Sequence, residues 1–214
     1  MKLLITGFEP FGGETMNPAY EAVKLLPKSI NGAEIITMEI PTVFGKCGEA
    51  IEKKIMELHP DVVLCVGQAG GRSAITVEKV AINYADGRIA DNDGYQPTGE
   101  IIQPDGETAY FATLPIKDMV TGILAEGIPA NISYSAGTYV CNDVMYRLLY
   151  LLHTKYTQIR GGFIHVPFAP QQVAASGGNY PSMEMTTIAR GLQAAITVIV
   201  RGKEDSAIAM GTTE

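Results

Sequence analysis

Cys141 is the strongest candidate for chemistry in this chain because of its position. It follows residues 133–140, which are typical of a strand running into a glycine turn, and it opens an apolar helix. A thiol at a helix N-terminus lies near unpaired N–H groups and the positive end of the helix dipole, which favour the thiolate and lower its pKa. The same N–H groups can bind an oxyanion. The alternative is a small buried core residue, and position alone leaves both interpretations open.

The other two cysteines are predicted to be core residues. Cys65 lies inside an apolar run, and Cys47 lies on the apolar stripe of a helix. The count of three is odd, and the chain has no C-x-x-C pair or histidine at zinc-finger spacing. This pattern indicates free thiols in a reducing, cytoplasmic setting rather than a disulfide framework or a structural zinc.

His165 is the histidine best placed to act as a base. It ends an apolar strand just before a loop, and ligands of α/β sheets gather beyond the carboxyl ends of strands. A hydrogen-bonded core histidine fits the position equally well. His59 and His153 lie near helix ends, where a cation suits the dipole, so a structural role is expected for both.

A Cys–His pair needs a third polar group that orients the imidazole. Glu78 is a carboxylate inside an otherwise apolar stretch. An ion pair with Lys79 is not favoured, since neighbours on a strand point to opposite faces. Asp143 is the alternative, but two residues after Cys141 it is better placed to support the helix N-terminus.

A glycine-rich turn at residues 7–13 has the glycine spacing of a phosphate loop. Gly13 and Glu14 stand where such a loop has Lys and Ser/Thr, which argues against a nucleotide site. Its aromatic residues, Phe8 and Phe11, are either core residues or the flanks of a small flat ligand. A second turn after a buried strand presents Gln68 to the same crevice.

Strands and helices alternate along the chain. Strands are predicted at 2–6, 34–40, 61–66, 76–82, 131–135 and 162–166, and helices at 19–26, 45–59, 115–126, 141–156 and from a Ser182 cap to about 200. Residues 85–104, rich in Gly, Asp, Asn and Pro, form a long excursion of the kind that is usually functional or mobile. The alternation predicts an α/β fold, a single-domain αβα sandwich over 1–214 with a mixed, largely parallel sheet and a tail from Gly202 that frays.

Composition and charge narrow the class of protein. Of the 214 residues, 46% are hydrophobic, which is enough for a sizeable core. The formal net charge of -7 argues against a nucleic-acid partner, which requires a basic face. The longest apolar stretches are far shorter than the ~20 residues of a spanning helix, and the N-terminus lacks the core of a signal peptide. No membrane partner is therefore expected.

The motifs that carry these residues resemble those of the pyrrolidone-carboxylate peptidases, also called type I pyroglutamyl peptidases. The matching segments occur in family order at 6–13 with Asn17 and Pro18, and then at 66–72, 77–83, 133–142 and 163–167. The resemblance implies Cys141 as nucleophile, His165 as general base and acid, and Glu78 as the orienting carboxylate. It also implies a substrate pocket of Phe8, Phe11, Gln68, Ile89, Tyr139 and Val140. Relatives often carry Phe where this chain has Tyr139, so a hydroxyl is expected to alter that wall.

The resemblance further implies a cysteine exopeptidase that hydrolyses the amide bond after an N-terminal pyroglutamyl (5-oxoproline) residue through a thioester. The substrates would be peptides, the assembly a homotetramer, the location the cytoplasm, and no metal or cofactor would be needed. The pyroglutamyl lactam has two flat apolar faces, which Phe8 and Phe11 can cover, and an amide edge that Gln68 can pair with. Arg88, from the long excursion, is a candidate to assist the backbone N–H groups at the oxyanion.

Two other classes of function remain open from the sequence. A nucleoside-phosphorylase-like transferase shares the broad αβα architecture, but it needs an anion cradle, for which only Arg72 and Arg88 are loose candidates. A catalytically silent binding protein or scaffold would need only a core role for Cys141. Alkylation that is selective for Cys141 and blocked by 2-pyrrolidone would distinguish the peptidase from the silent protein.

Overall fold

The computed structural model describes residues 1–202 and 204–211. Seven of its strands form one sheet, and four short strands pair in two small sheets beside it. The strands are β1 (Lys2–Phe8), β2 (Ser29–Ile30), β3 (Ala33–Ile40), β4 (Val62–Gln68), β5 (Ile75–Glu78), β6 (Val80–Ile82), β7 (Ala85–Asp86), β8 (Thr98–Glu100), β9 (Ala109–Phe111), β10 (Ala130–Ser133) and β11 (Arg160–Val166). The helices are α1 (Pro18–Lys24), α2 (Lys46–Leu58), α3 (Ile116–Ala125), α4 (Val140–Thr154), α5 (Pro170–Ser176) and α6 (Met185–Arg201).

The main sheet has the strand order β10-β5-β11-β4-β1-β3-β2. Its pairs are parallel except at two places, where β5 runs antiparallel to β11 and β2 runs antiparallel to β3. The central strand β4 is buried along residues 62–67, as expected of a parallel strand covered on both faces. The predicted mixed, largely parallel sheet is confirmed.

Helices cover the sheet in two groups. In one group α6 packs against both α1 and α3, and in the other α2 packs against α4. Every helix except α5 buries an apolar stripe, as Cys47, Ile51 and Ile55 do on α2. The longest helix, α6, has 17 residues, and in the described part of the chain none is long and apolar enough to cross a membrane.

The predicted strand over 76–82 is wrong in its extent. The chain forms two strands there, β5 in the main sheet and β6 in a small sheet with β9. Lys79 stands between them, and its N–H donates to Ser133 O at 2.7 Å while its carbonyl accepts from Ala112 N at 3.0 Å. The change of hydrogen-bonding partner at Lys79 moves the chain from one sheet to the other, so Glu78 becomes the last residue of its strand.

Three further differences concern local structure. The excursion at 85–104 contains the small β7-β8 pair, and its buried Asp91 accepts hydrogen bonds from Phe44 N at 3.0 Å and Tyr95 N at 2.9 Å. Helix α5 was not expected from the sequence. The last helix begins at Met185 and not after Ser182, because Ser182 forms a β-bridge with Phe168 and is held in an extended segment.

The tail contacts the rest of the fold at Asp205. Residues 204–211 contain no helix or strand, yet the Asp205 carboxylate accepts hydrogen bonds from Lys117 N at 2.9 Å and Asp118 N at 3.1 Å. These N–H groups belong to the first turn of α3, so this part of the tail caps that helix. Lys203 and residues 212–214, also part of the predicted frayed tail, lie outside the described residues.

Candidate active site

Glu78 and His165 meet because β5 runs antiparallel to β11. His165 is paired with Thr76, and Glu78 is paired with Phe163, two residues away along β11. Side chains at these positions share one face of the sheet, so a long side chain reaches its diagonal neighbour. Glu78 does so, and its Oε1 lies 2.7 Å from Nδ1 of His165. Both residues are buried, with Glu78 0% and His165 3% exposed.

Arg72 supplies the positive charge for the buried carboxylate. Its Nη1 donates to Oε1 of Glu78 at 2.7 Å and contacts the hydroxyl of Thr76, while its Nη2 donates to Ser135 O at 3.2 Å. Burial opposes the ionisation of Glu78, but the hydrogen bonds from His165 and Arg72 hold the pKa of Glu78 below its ordinary value of 4.5. Glu78 is therefore ionised at neutral pH.

The imidazole of His165 is neutral at neutral pH. Burial lowers the pKa of His165 below its ordinary value of 6.5, and the charge of Arg72 acts in the same direction, although Glu78 opposes both. An ionised carboxylate can only accept hydrogen bonds, so Nδ1 of His165 carries the proton. Nε2 then has a free lone pair, which is the state that a general base requires.

Cys141 is the second residue of α4, and its sulfur lies against the backbone of β4. A Cβ added at Gly67 would stand 2.9 Å from Sγ of Cys141 and 2.7 Å from Cζ of Phe163, too close for either. Gly67 is paired with His165 across the parallel strands β4 and β11. The glycine therefore leaves the space that brings the sulfur to the same sheet position as the imidazole.

The thiol of Cys141 keeps its proton at neutral pH. Burial raises the pKa of Cys141 to about 12, and the negative charge of Glu78 adds to this effect while Arg72 opposes it. This upward shift is opposite in direction to the lowering expected from the helix N-terminus, and its largest cause is loss of hydration. A neutral thiol and a neutral imidazole face the same cleft.

The first turn of α4 has N–H groups available for an external acceptor. The residue before the helix, Tyr139, makes no side-chain capping bond, and the first helical hydrogen bond runs from Asp143 N to Tyr139 O at 3.1 Å. The N–H groups of residues 140–142 precede that bond and have no partner within the helix. They lie around Cys141, where an oxyanion would form.

Asp143, the alternative carboxylate, has a structural position. It is 1% exposed, and it accepts hydrogen bonds from Gly45 N at 2.9 Å and from Nε of Arg147 at 3.0 Å. These contacts join the start of α2 to α4. Asp143 therefore positions the helix that carries Cys141, and Glu78 is the carboxylate that contacts the imidazole.

A cleft of about 440 Å³ opens over these residues. It is lined by Phe11, Gln68, Ala69, Arg72, Ser135, Ala136, Gly137, Tyr139, Cys141 and His165. The rings of Phe11 and Tyr139 stand with centroids 6.2 Å apart and form an aromatic wall. The hydroxyl of Tyr139 donates to Ala90 O at 2.9 Å, which ties the 85–104 excursion to this wall.

Five of the predicted site residues lie outside the cleft lining: Glu78, which is buried behind His165, and four of the predicted substrate and oxyanion residues. Phe8 and Val140 are buried at 2% and 0% exposure, and Phe8 packs against Phe163 with ring centroids 6.5 Å apart. Arg88 and Ile89 are exposed on the 85–104 excursion. The structure thus places Phe8 and Val140 in the core beneath the site, and Arg88 and Ile89 on the surface.

Gln172 is a site residue that the sequence analysis did not identify. Its Nε2 donates to Oε1 of Gln68 at 2.9 Å, and its own Oε1 accepts from Ala169 N at 3.0 Å. The available signal was Pro170 followed two residues later by Gln172, a pattern typical of a helix start. The sequence suggests Arg72 only as an anion ligand, and the signal for its contact with Glu78 is the need of a buried carboxylate for a counter-charge.

Transfer of a thiol proton to a neutral, carboxylate-bound imidazole activates sulfur as a nucleophile. An αβα fold that brings these groups to one cleft, beside unpaired N–H groups, defines the class of cysteine hydrolases. Residues 1–202 match the family model for pyroglutamyl peptidase. The chain belongs to the pyroglutamyl peptidase family of cysteine peptidases.

Similar proteins cover nearly the whole chain. It is 57% identical over 205 residues to a pyrrolidone-carboxylate peptidase of Clostridium perfringens, with 96% of each chain covered. It is 54% identical over 213 residues to that of Enterococcus faecalis, with 100% of each chain covered. The crystal structure of pyroglutamyl peptidase I of Bacillus amyloliquefaciens matches with a TM-score of 0.92 and 44% identity over 96% of this chain and 99% of that chain. The family resemblance and the fold class predicted from the sequence are confirmed.

Proposed function

We propose that this protein removes N-terminal pyroglutamyl residues from peptides and proteins as a cysteine exopeptidase, with Cys141, His165 and Glu78 as its catalytic residues. The observation that carries the proposal is the buried, neutral His165, bonded through Nδ1 to Glu78 and lining the same cleft as Cys141. The names of the relatives supply the substrate class. Arg72 bonds to Glu78, so it is not free to form the anion cradle that a phosphorylase needs.

The first half of the reaction forms a thioester. Nε2 of His165 takes the proton of Cys141 as the sulfur attacks the carbonyl carbon of the pyroglutamyl residue. The N–H groups of residues 140–142 stabilise the oxyanion. Arg88 is exposed on the excursion and would act as a further donor only after moving toward the cleft. The bond from the carbonyl carbon to the leaving nitrogen then breaks, and the imidazolium of His165 protonates that nitrogen.

The second half releases the product. His165 takes a proton from water, and the resulting hydroxide attacks the thioester carbon. The carbon–sulfur bond breaks, 5-oxoproline leaves, and the sulfur of Cys141 recovers its proton from His165. Glu78 keeps the imidazole oriented and stabilises its charged form during both halves.

The pocket assignment follows the shape and polarity of the lactam ring. Phe11 and Tyr139 contact its flat faces, and Gln68 pairs with its amide edge. Phe8 and Val140 support this pocket from the core, and Ile89 lies on the exposed excursion, beside Gly12. A prolyl ring lacks the oxo group, so it would leave a buried polar partner of the site unpaired.

The test is release of a fluorophore from a pyroglutamyl amide compared with the matching prolyl amide. We expect turnover of the pyroglutamyl compound, with discrimination on the order of 10⁴-fold. Purified, folded wild-type protein that turns over neither compound, or both equally, contradicts the proposed function.

We further propose that residues 1–214 form a single peptidase domain that acts in the cytoplasm as a homotetramer. Its free cysteines suit a reducing compartment, and exposed apolar side chains such as Ile101 and Phe111, each 66% exposed, are available for contacts between copies. Light scattering of the purified protein measures the assembly. A monomeric mass at micromolar concentration contradicts the tetramer.

A further inference from the structure

We infer that Gln172 is a positioning residue for substrate recognition, because it holds the amide of Gln68 so that the NH₂ group, and not the carbonyl, is free to face the substrate. The inference rests on the proposed function, in which Gln68 pairs with the lactam edge of the pyroglutamyl ring. Gln172 itself touches Gln68 and Ala169 and acts through Gln68.

The orientation of both side-chain amides follows from the backbone N–H of Ala169. The N–H of Ala169 can only donate, so the atom of Gln172 that lies 3.0 Å from it must be the carbonyl oxygen. The other end of that amide is then the NH₂ group, which donates across 2.9 Å. Its partner on Gln68 must therefore be an acceptor, the oxygen Oε1.

The consequence for Gln68 is a fixed polarity at the cleft. Oε1 is engaged by Gln172, which leaves the NH₂ group as the donor at the lining. A donor at this position matches the oxo group of the lactam, and it has no partner on a prolyl ring. If the Gln68 amide could rotate freely, it would present either its NH₂ group or its oxygen to the cleft. The contact with Gln172 selects the NH₂ group.

Burial supports a fixed pair. Gln172 is 5% exposed, and Gln68 is the last residue of β4, next to the end of β11, from which the chain runs into α5. The simpler alternative is that Gln172 only caps α5 through its bond to Ala169. Gln172→Glu separates the two roles, since a carboxylate still accepts from that N–H, as in a capping box, but when ionised it cannot donate to Gln68.

The experiment compares kcat/KM for a pyroglutamyl amide in wild type, Gln172→Glu and Gln171→Glu across pH. Gln171 is an exposed neighbour on the same helix, so its variant carries the same charge change without the contact. In Gln172→Glu, Gln68 must turn its NH₂ group to the new carboxylate and its oxygen to the ring. We expect a loss of roughly 10- to 100-fold at alkaline pH, mainly as a higher KM.

The pH dependence distinguishes this role from helix capping. Protonation of the new carboxyl group restores a donor to Gln68, so the activity ratio of Gln172→Glu to wild type should rise as the pH falls. The ratio for Gln171→Glu should stay flat. Gln172→Met should lose less than Gln172→Glu, with no change of ratio with pH, because it leaves Gln68 free to adopt either orientation.

A double variant tests whether the effect passes through Gln68. Adding Gln172→Glu to Gln68→Ala should cause no further loss of kcat/KM, whereas two independent effects on kcat/KM would multiply.

Equal activity of Gln172→Glu and Gln171→Glu, or a flat ratio for both, overturns the inference while leaving the proposed function standing. Absence of turnover by the wild type overturns the proposed function and the inference with it. If Gln172→Glu does not fold, a loss in Gln172→Met that persists fully in the Gln68→Ala background overturns the inference.

Discussion

Arg72 and His165 donate to the same oxygen of Glu78. Nη1 of Arg72 and Nδ1 of His165 each lie 2.7 Å from Oε1. Since a guanidinium can only donate, the atom between them must be an acceptor. The proton on Nδ1 of His165 is therefore set by geometry as well as by charge, and Arg72 acts on the imidazole through a carboxylate that both residues share.

The wild-type activity should fall at acid pH through a limb that lies below pH 6.5. His165 must be neutral to act as a base, and burial holds its pKa below its ordinary value of 6.5, so kcat/KM rises with pH through that lowered pKa. Ionisation of Cys141, with a pKa of about 12, causes no change near neutrality. A profile of kcat/KM against pH checks this, and an acid limb above 6.5 would contradict it.

Glu78→Gln should lower kcat/KM on the order of 10²-fold without changing the imidazole tautomer. Arg72 still requires an acceptor at the shared position, so the amide oxygen replaces Oε1 there. The lost negative charge makes the imidazolium less stable, and the acid limb should move to lower pH. Glu126→Gln, in an exposed ion pair with Arg190, is the control. An unmoved limb would show that the charge of Glu78 does not act on His165.

Arg72→Gln should move the acid limb in the opposite direction, to higher pH. The positive charge of Arg72 lowers the pKa of His165, so its removal favours the imidazolium and requires a higher pH for the base. Arg190→Gln removes an exposed arginine as the matched control. A downward shift, or equal profiles for the two variants, would contradict this account, and thermal unfolding of each variant shows whether it is folded.

Alkylation by iodoacetamide should distinguish the three thiols. Cys47 and Cys65 are 0% exposed, whereas Cys141 lines the cleft, so mass spectrometry should find Cys141 labelled first and protected by 2-pyrrolidone.

Cys141→Ala should abolish turnover. Cys65→Ala should keep it and lower the free energy of unfolding by about 1 kcal/mol. Full activity in Cys141→Ala would show that another residue is the nucleophile.

Tyr139→Phe should loosen the 85–104 excursion while keeping the aromatic wall. The ring keeps its contacts with Phe11 and Phe44, but the hydrogen bond to Ala90 O is lost, a change of about 1 kcal/mol. Hydrogen exchange should become faster within 85–104 and KM should rise a few-fold. Tyr134→Phe, at a 49% exposed position, is the control. Unchanged exchange would show that the hydroxyl does not hold the excursion.

Periodicity and turn signals in the sequence were sufficient to predict most of the fold. The apolar run at 62–66 and the Asn17-Pro18 helix start each describe a local preference that the packing keeps. The division of 76–82 into two strands was not predictable, because residues on both sides of Lys79 suit a strand and only the distant partners Ser133 and Ala112 differ. Propensity identifies a strand but not the sheet to which it belongs.

The site shows the same limit at the level of side chains. Cys141, His165 and Glu78 could be proposed because residue type and position together suggest their chemistry. The contacts of Arg72 and Gln172 depend on how the loop after β4 and the helix after β11 pack beside the ends of these strands. The balance that keeps the Cys141 thiol protonated depends on burial, which the position of a cysteine at a helix start does not reveal.

Gly67 has a consequence for how the protein loses function on denaturation. The sulfur of Cys141 packs against the main chain at this point, beside the ring of Phe163. Its alignment with His165 therefore depends on the pairing of β4 with β11 as well as on the position of α4. Inactivation by heat or urea should then coincide with melting of the central sheet in one cooperative transition, so enzymatic activity becomes a direct reporter of global unfolding.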